Sequence, residues 1–131
     1  MSKTYLVDTN VILRLLIGDI VEQKNLAQGL FEKAEAGEVK LTVSLLVINE
    51  LVWILEKFYD LKRKDYIPSL NHLLAVRGLT VIEVKKSRVM RLLEALESSK
   101  LDLTDLYLLQ TSKNLGHQIY TFDQEMIDVA K

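Results

Sequence analysis

Thr4-Tyr5-Leu6-Val7-Asp8-Thr9-Asn10 is a short apolar run that ends in a carboxylate. Consecutive apolar residues at 5, 6 and 7 suit a strand buried on both faces of a parallel sheet. Asp8 and Asn10 then fall where the strand stops and a helix begins. In open α/β sheets, ligands gather outside the carboxyl ends of the strands, near the point where strand order reverses. An acid closing the first strand is therefore on functional ground. Its weight depends on whether other acids arrive at matching places.

Downstream, helical and strand patterns alternate. Residues 11–17 form an apolar helical run stopped by Gly18, and residues 20–36 carry Leu26, Ala27, Leu30, Phe31 and Ala34 at helical spacing before Gly37. Residues 39–43 alternate and are rich in β-branched side chains, a second strand. Ser44 can cap a helix running from Leu45 to about Tyr59. A helix over 62–77 turns Leu70, Leu73 and Leu74 inward; Pro68 must lie in or near its first turn, because deeper placement would break it. The pattern then predicts a strand over 79–83, helices over 87–98 and 102–115, a fourth strand over 118–122 that ends in Asp123, and a last helix over 124–130. Strands separated by helices indicate an α/β fold, a parallel sheet with helices on both faces. No linker, repeat or low-complexity stretch divides residues 1–131, so they make a single domain.

The bulk composition narrows the function classes. A chain that is 49% hydrophobic and 27% charged is not disordered. Cysteine is absent, which removes disulfides and Cys-ligated zinc and fits a cytoplasmic protein. No basic leader and no membrane-length apolar run is present; the longest, residues 41–55, is interrupted by Ser44, Asn49 and Glu50. The net charge of −1 lacks the basic excess of many nucleic-acid binders. The basic groups Lys62-Arg63-Lys64 and Lys85-Lys86 with Arg88 and Arg91 read as solvated surface. A cluster of metal-binding acids would itself lower the net charge, so neutrality does not exclude a nuclease.

Four acids fall where they can meet. Asp8 and Asp123 end the first and fourth strands; if these are sheet neighbours, the carboxylates lie about one strand spacing (~5 Å) apart. Glu50 sits in Leu45-Leu46-Val47-Ile48-Asn49-Glu50-Leu51-Val52-Trp53-Ile54-Leu55, apolar almost all round and expected to be largely buried. A charge there needs a cation or full hydrogen bonding, unless Glu50 lies on a narrow wet stripe. Asp102 and Asp105 open a helix; Asp102 reads as an N-cap, and Asp105, one turn on, as the better ligand. Carboxylates that converge without an interleaved cation repel one another. Oxygen-only sites select hard ions such as Mg²⁺ or Mn²⁺, which can ionise water and neutralise a leaving oxygen in phosphodiester hydrolysis.

Other constellations are missing. His72 and His117 make no local metal motif, and there is neither a glycine-rich phosphate loop nor a nucleophile elbow. Trp53 and the five tyrosines are too scattered for a base-stacking platform and read as core or interface residues.

The four acidic motifs together resemble a known family. Val7-Asp8-Thr9-Asn10-Val11-Ile12-Leu13-Arg14 with Gly18-Asp19, then Asn49-Glu50-Leu51-Val52-Trp53, Leu101-Asp102-Leu103-Thr104-Asp105 and Tyr120-Thr121-Phe122-Asp123 match, in order and spacing, the PIN domain. Within that group the chain resembles VapC-type toxins of toxin–antitoxin pairs. The resemblance implies a three-layer α/β/α fold around a parallel sheet of about four strands in the order 3-2-1-4. It implies Asp8, Glu50, Asp105 and Asp123 as the quartet around Mg²⁺ or Mn²⁺, with Asn10 and Thr121 supporting and Asp102 accessory. It also implies an endoribonuclease leaving 5′-phosphate and 3′-hydroxyl ends, inhibition by a cognate antitoxin, and a homodimer. Two departures stand out: Leu106 is bulky where the family often has a small residue, and a fifth edge strand is expected to be short or missing after Lys131. Two other classes stay open. One is a catalytically silent PIN-like module that binds RNA or protein; the other is a phosphohydrolase acting on a small substrate.

Overall fold

The computed structural model describes residues 3–131. In chain order these form β1 (Lys3–Leu6), α1 (Thr9–Ile17), α2 (Val21–Glu35), β2 (Val39–Val43), α3 (Leu45–Lys57), α4 (Arg63–Leu74), β3 (Leu79–Val81), α5 (Lys86–Glu97), α6 (Leu103–Leu115) and α7 (Gln124–Ala130). The strands make one parallel sheet in the order β1-β2-β3, with Tyr5 beside Leu41 and Leu41 beside Leu79. This is the α/β class that the alternation of patterns predicts.

The core lies around β2. Leu41 and Val43 are fully buried, and Ile48, Leu51 and Leu55 of α3 meet Leu70 and Leu74 of α4 and Leu93 and Leu96 of α5 there. Local chemistry sets the element ends. Ser44 caps α3 by accepting from the Leu46 N–H, and Gly18 ends α1 in a left-handed conformation, its N–H donating to the Arg14 carbonyl. Gly78, before β3, has φ +86°, and an added Cβ would sit 2.8 Å from the Ala34 carbonyl oxygen. Only glycine tolerates both that backbone and that approach.

Four expectations need correction. The first strand was expected to be buried on both faces, yet Lys3–Leu6 is exposed along its length and Leu6 keeps 69% of its surface. The cause is the second correction: among the described residues the sheet has three strands, and residues 118–122 form no strand beside β1. The order is 3-2-1 without the fourth member. Tyr120 and Phe122 stack edge to face and stay 89% and 91% exposed, so no buried side chain draws this segment onto the sheet. Third, Pro68 is the sixth residue of α4, beyond its first turn. Lys64, whose carbonyl loses its helical donor, is exposed like Pro68, so water can replace the missing bond. Fourth, α3 is not buried all round: Leu46 is 77% and Trp53 62% exposed.

Candidate metal centre

Three of the predicted acids begin helices and are held by backbone N–H groups. Asp8 caps α1, its Oδ1 accepting from the N–H groups of Asn10 at 3.0 Å and Val11 at 3.4 Å. Asp102 caps α6 by accepting from the Asp105 N–H at 2.8 Å. Asp123 caps α7, its Oδ1 accepting from Glu125 at 2.9 Å and Met126 at 3.2 Å. Each cap satisfies donors that a helix start leaves unpaired, and each negative charge complements the helix dipole. The Thr121 hydroxyl accepts from the Asp123 N–H at 3.1 Å, which fixes the turn into α7. Thr121 thus supports Asp123 through the backbone.

Asp102, Asp105 and Asp123 line one cleft of about 380 Å³, with Asn49 and Trp53 of α3 on its wall. Asp105 is half-buried on the first turn of α6. Burial raises its carboxyl above the ordinary range, and the charges of Asp102 and, more weakly, Asp123 push the same way. Protonation is therefore easier at Asp105 than at a free aspartate. A groove of larger volume, about 760 Å³, runs past Gly116, His117 and Val129 but has no acid in its lining. The carboxylate chemistry belongs to the smaller cleft.

Glu50 lies outside this lining, on the exposed face of α3 that also carries Leu46, Asn49 and Trp53. It occupies the wet stripe rather than a buried slot. Asn49 links its helix to the cleft by accepting from the Thr104 hydroxyl of α6 at 3.3 Å. Asp8 and Asn10 lie at the carboxyl end of β1, also outside the lining. With no fourth strand beside β1, the sheet does not bring Asp8 and Asp123 together.

The cleft offers carboxylate oxygens and no His or Cys, a donor set that suits a hard divalent ion, but Lys57, Arg63 and Lys100 also line it beside Glu56 and Glu125, so its acids are interleaved with cations. Among the described residues, no three of His, Cys, Asp and Glu are grouped to hold an ion. Asp102, Asp105 and Asp123 share the cleft, then, without forming a ligand cage, while Asp8 and Glu50 stand apart.

Sequence reasoning missed two further arrangements of charged side chains. Glu83, placed in the third strand, lies just past β3 and closes the start of α3. Its carboxylate accepts from the Leu45 N–H at 2.7 Å and from the Ser44 hydroxyl, and these bonds hold it below the usual carboxylate range. The second is a network of Glu56, Arg63 and Tyr66. Arg63 pairs with Glu56 with Nε to Oε2 at 3.1 Å, and the Tyr66 hydroxyl donates to the same carboxylate. Burial, then the Glu56 charge, pushes the Tyr66 phenol far above its ordinary value, so it stays a donor. The stretch Lys62-Arg63-Lys64 had read as solvated surface; Arg63 is instead four-fifths covered.

A family model described as PIN domain matches residues 5–131. No curated protein and no solved structure gives a match.

Proposed function

The chain belongs to the PIN-domain family, whose members are generally metal-dependent nucleases, and from that premise we propose that it is a Mg²⁺- or Mn²⁺-dependent endoribonuclease, the VapC-type toxin of a toxin–antitoxin pair. The observation that carries this reading is the gathering of Asp102, Asp105 and Asp123 in one cleft, where burial and then the charges of Asp102 and Asp123 raise the Asp105 carboxyl. A titratable group shifted by burial and by specific like charges, in a cleft, is a functional-site candidate. Asp8, Glu50, Asp105 and Asp123 are the residues proposed to hold the ion, with Asp102 accessory. When bound, the ion would supply Lewis acidity, ionising water near neutral pH and neutralising charge on the leaving oxygen. The chain's own part is placement. Caps at Asp8, Asp102 and Asp123 fix one carboxylate oxygen on the backbone and leave the other available. Thr121 and Asn49 steady the turn before α7 and the α3–α6 contact. No side chain need form a covalent intermediate.

RNA is the proposed substrate, and a cognate antitoxin the proposed inhibitor. A homodimer is proposed with the toxin assignment. Among the described residues no helix is long and apolar enough to cross a membrane; a cytoplasmic location is proposed with the toxin assignment. Calorimetry with Mn²⁺ and cleavage of a mixed RNA pool test the reading on the unmodified protein and on Asp8→Asn, with circular dichroism as the fold check. Saturable binding, and cleavage leaving 5′-phosphates, both lost in the variant, are expected. Full cleavage by Asp8→Asn would overturn the site assignment.

A second reading has its own observation: no acid trio is grouped to hold an ion among the described residues. A silent PIN-like module that binds RNA or protein would then use the same surface. It expects Asp105→Asn to stabilise the domain while RNA or partner binding is unchanged.

A further inference from the structure

Helix α5 has no basic residue in its last turn, and its Leu96 carbonyl accepts from the Ser98 and Ser99 backbone N–H groups at the cap. Arg63, the first residue of α4, adds a charged donor from outside. Its Nη1 donates to the carbonyls of Leu96 at 3.2 Å, Ser99 at 2.7 Å and Leu101 at 2.7 Å. The last of these immediately precedes Asp102, the cap of α6. The other side of the guanidinium is held by Glu56 of α3, with Nε to Oε2 at 3.1 Å and Nη2 to Oε1 at 3.3 Å. One planar group thus ties α3 to the turn that launches α6. The Ser99 hydroxyl tightens that turn by accepting from the Leu101 N–H at 3.0 Å.

This tie has a consequence for the acids. Glu50 is on α3 and Asp102 and Asp105 begin α6, so the offset between the two helices sets how these carboxylates face one another. Beside the apolar packing of Leu103 in the core with α3, two polar links bear on it: the exposed Thr104–Asn49 bond, and the covered Arg63–Glu56 bridge through the carbonyls that Arg63 holds. We propose that Arg63, braced by Glu56, is a positioning residue that holds the α6 start, and with it Asp102 and Asp105, in register with α3. The inference rests on the metal-site reading only for what the register serves. A lysine at 63 would keep the charge and lose the geometry, because an ammonium cannot span a carboxylate in two-point contact and also collect three carbonyls.

The test uses the full chain with Arg63→Lys and Glu56→Gln, read by hydrogen exchange in the absence of metal and by Mn²⁺ calorimetry. Exchange at the amides of residues 101–106 is expected to rise about tenfold, the factor for losing one or two net hydrogen bonds. Exchange at the β2 amides should rise by clearly less. Mn²⁺ affinity is expected to fall about tenfold, as for other residues that orient ligands without touching the ion. Equal acceleration across the whole protein means that Arg63 serves stability alone and overturns the proposal, as does an unchanged Mn²⁺ Kd in a folded variant. If Arg63→Lys does not fold, Glu56→Gln, which keeps the side-chain shape, decides by the same measures. If the unmodified protein binds no Mn²⁺, the metal-site reading fails by itself and the exchange pattern alone decides the role of Arg63.

Discussion

Asp102 performs two tasks with opposite effects on stability, and two substitutions separate them. Its carboxylate caps α6 through the 2.8 Å bond from the Asp105 N–H, and its charge raises the Asp105 carboxyl. Asp102→Ala removes both. The lost cap costs about 1 kcal/mol, and relief of a like-charged pair one turn apart returns only about 0.2–0.5 kcal/mol at an exposed position. Asp102→Asn keeps the cap hydrogen bond, since asparagine and aspartate cap about equally well, and removes both the repulsion and the charge's favourable interaction with the α6 dipole, which roughly offset one another. With about 2.1 cal/mol/K of unfolding entropy per residue, 1 kcal/mol shifts the Tm of a chain this long by about 3–4 °C. In EDTA at pH 7.5 the alanine variant should therefore melt about 2–3 °C or more below the unmodified protein, while the asparagine variant stays within about 1–2 °C of it. The pH sign follows from Asp105. A carboxyl raised in the folded state adds stability below its ordinary pKa and loses it as pH rises through the folded value. The relief that asparagine brings is thus a neutral-pH effect and vanishes in acid. Excess Mn²⁺ should raise the unmodified protein above both variants, because an ion at a hundred times its Kd stabilises the native state by about 2.7 kcal/mol and the unmodified site binds it better. The assay is thermal melting followed by circular dichroism. Equal Tm values for the two variants in EDTA would refute the division of labour.

Two further outcomes test the frame around the site. The depressed Glu83 carboxyl contributes stability that is present above the ordinary glutamate pKa and is lost as pH falls through its lower folded value; Glu83→Gln should flatten that acid limb in a Tm series from pH 7 to pH 2.5. An unchanged limb would show that the Ser44 and Leu45 bonds do not matter for stability. Gly78→Ala combines a left-handed backbone with a Cβ at 2.8 Å from the Ala34 carbonyl oxygen, whereas Gly37→Ala, at φ +80°, meets nothing within 4 Å. The first should cost clearly more than the ~1–2 kcal/mol expected for the second from backbone strain, as read from urea midpoints; equal losses would show that the contact relaxes freely.

What the sequence made legible was whatever short range determines. The Ser44 cap, the Gly18 and Gly116 stops, β2 and α7 are set by residues within one turn of each other, and the structure has them where the pattern placed them. Asp102 as a cap was readable for the same reason. The missing fourth strand was not readable: the alternation over 118–122 is strand-like, but joining a sheet depends on what β1's open edge meets, which no local pattern encodes. Nor were the partners of Arg63 readable, since its three carbonyls lie 33–38 residues away. The buried-acid argument was sound but was applied to Glu50, which is exposed. It fits Glu56, one residue beyond the stretch that raised the question, whose side chain is 18% exposed and paired.

The segment that carries Asp123 is the least anchored part of the candidate site. Residues 118–122 have no place in the sheet, and α7, which Asp123 caps, is seven residues long and buries only Met126. So few buried contacts give a local opening equilibrium of low free energy, independent of global unfolding. Any ligand that requires Asp123 binds only the closed fraction of molecules, and its apparent dissociation constant is the intrinsic value divided by that fraction. A protein that clamped α7 onto α6 would tighten such a ligand without touching it, and one that pried α7 away would weaken it while the hydrophobic core stayed intact. Occupancy of the site is thereby coupled to whatever rests on residues 118–131.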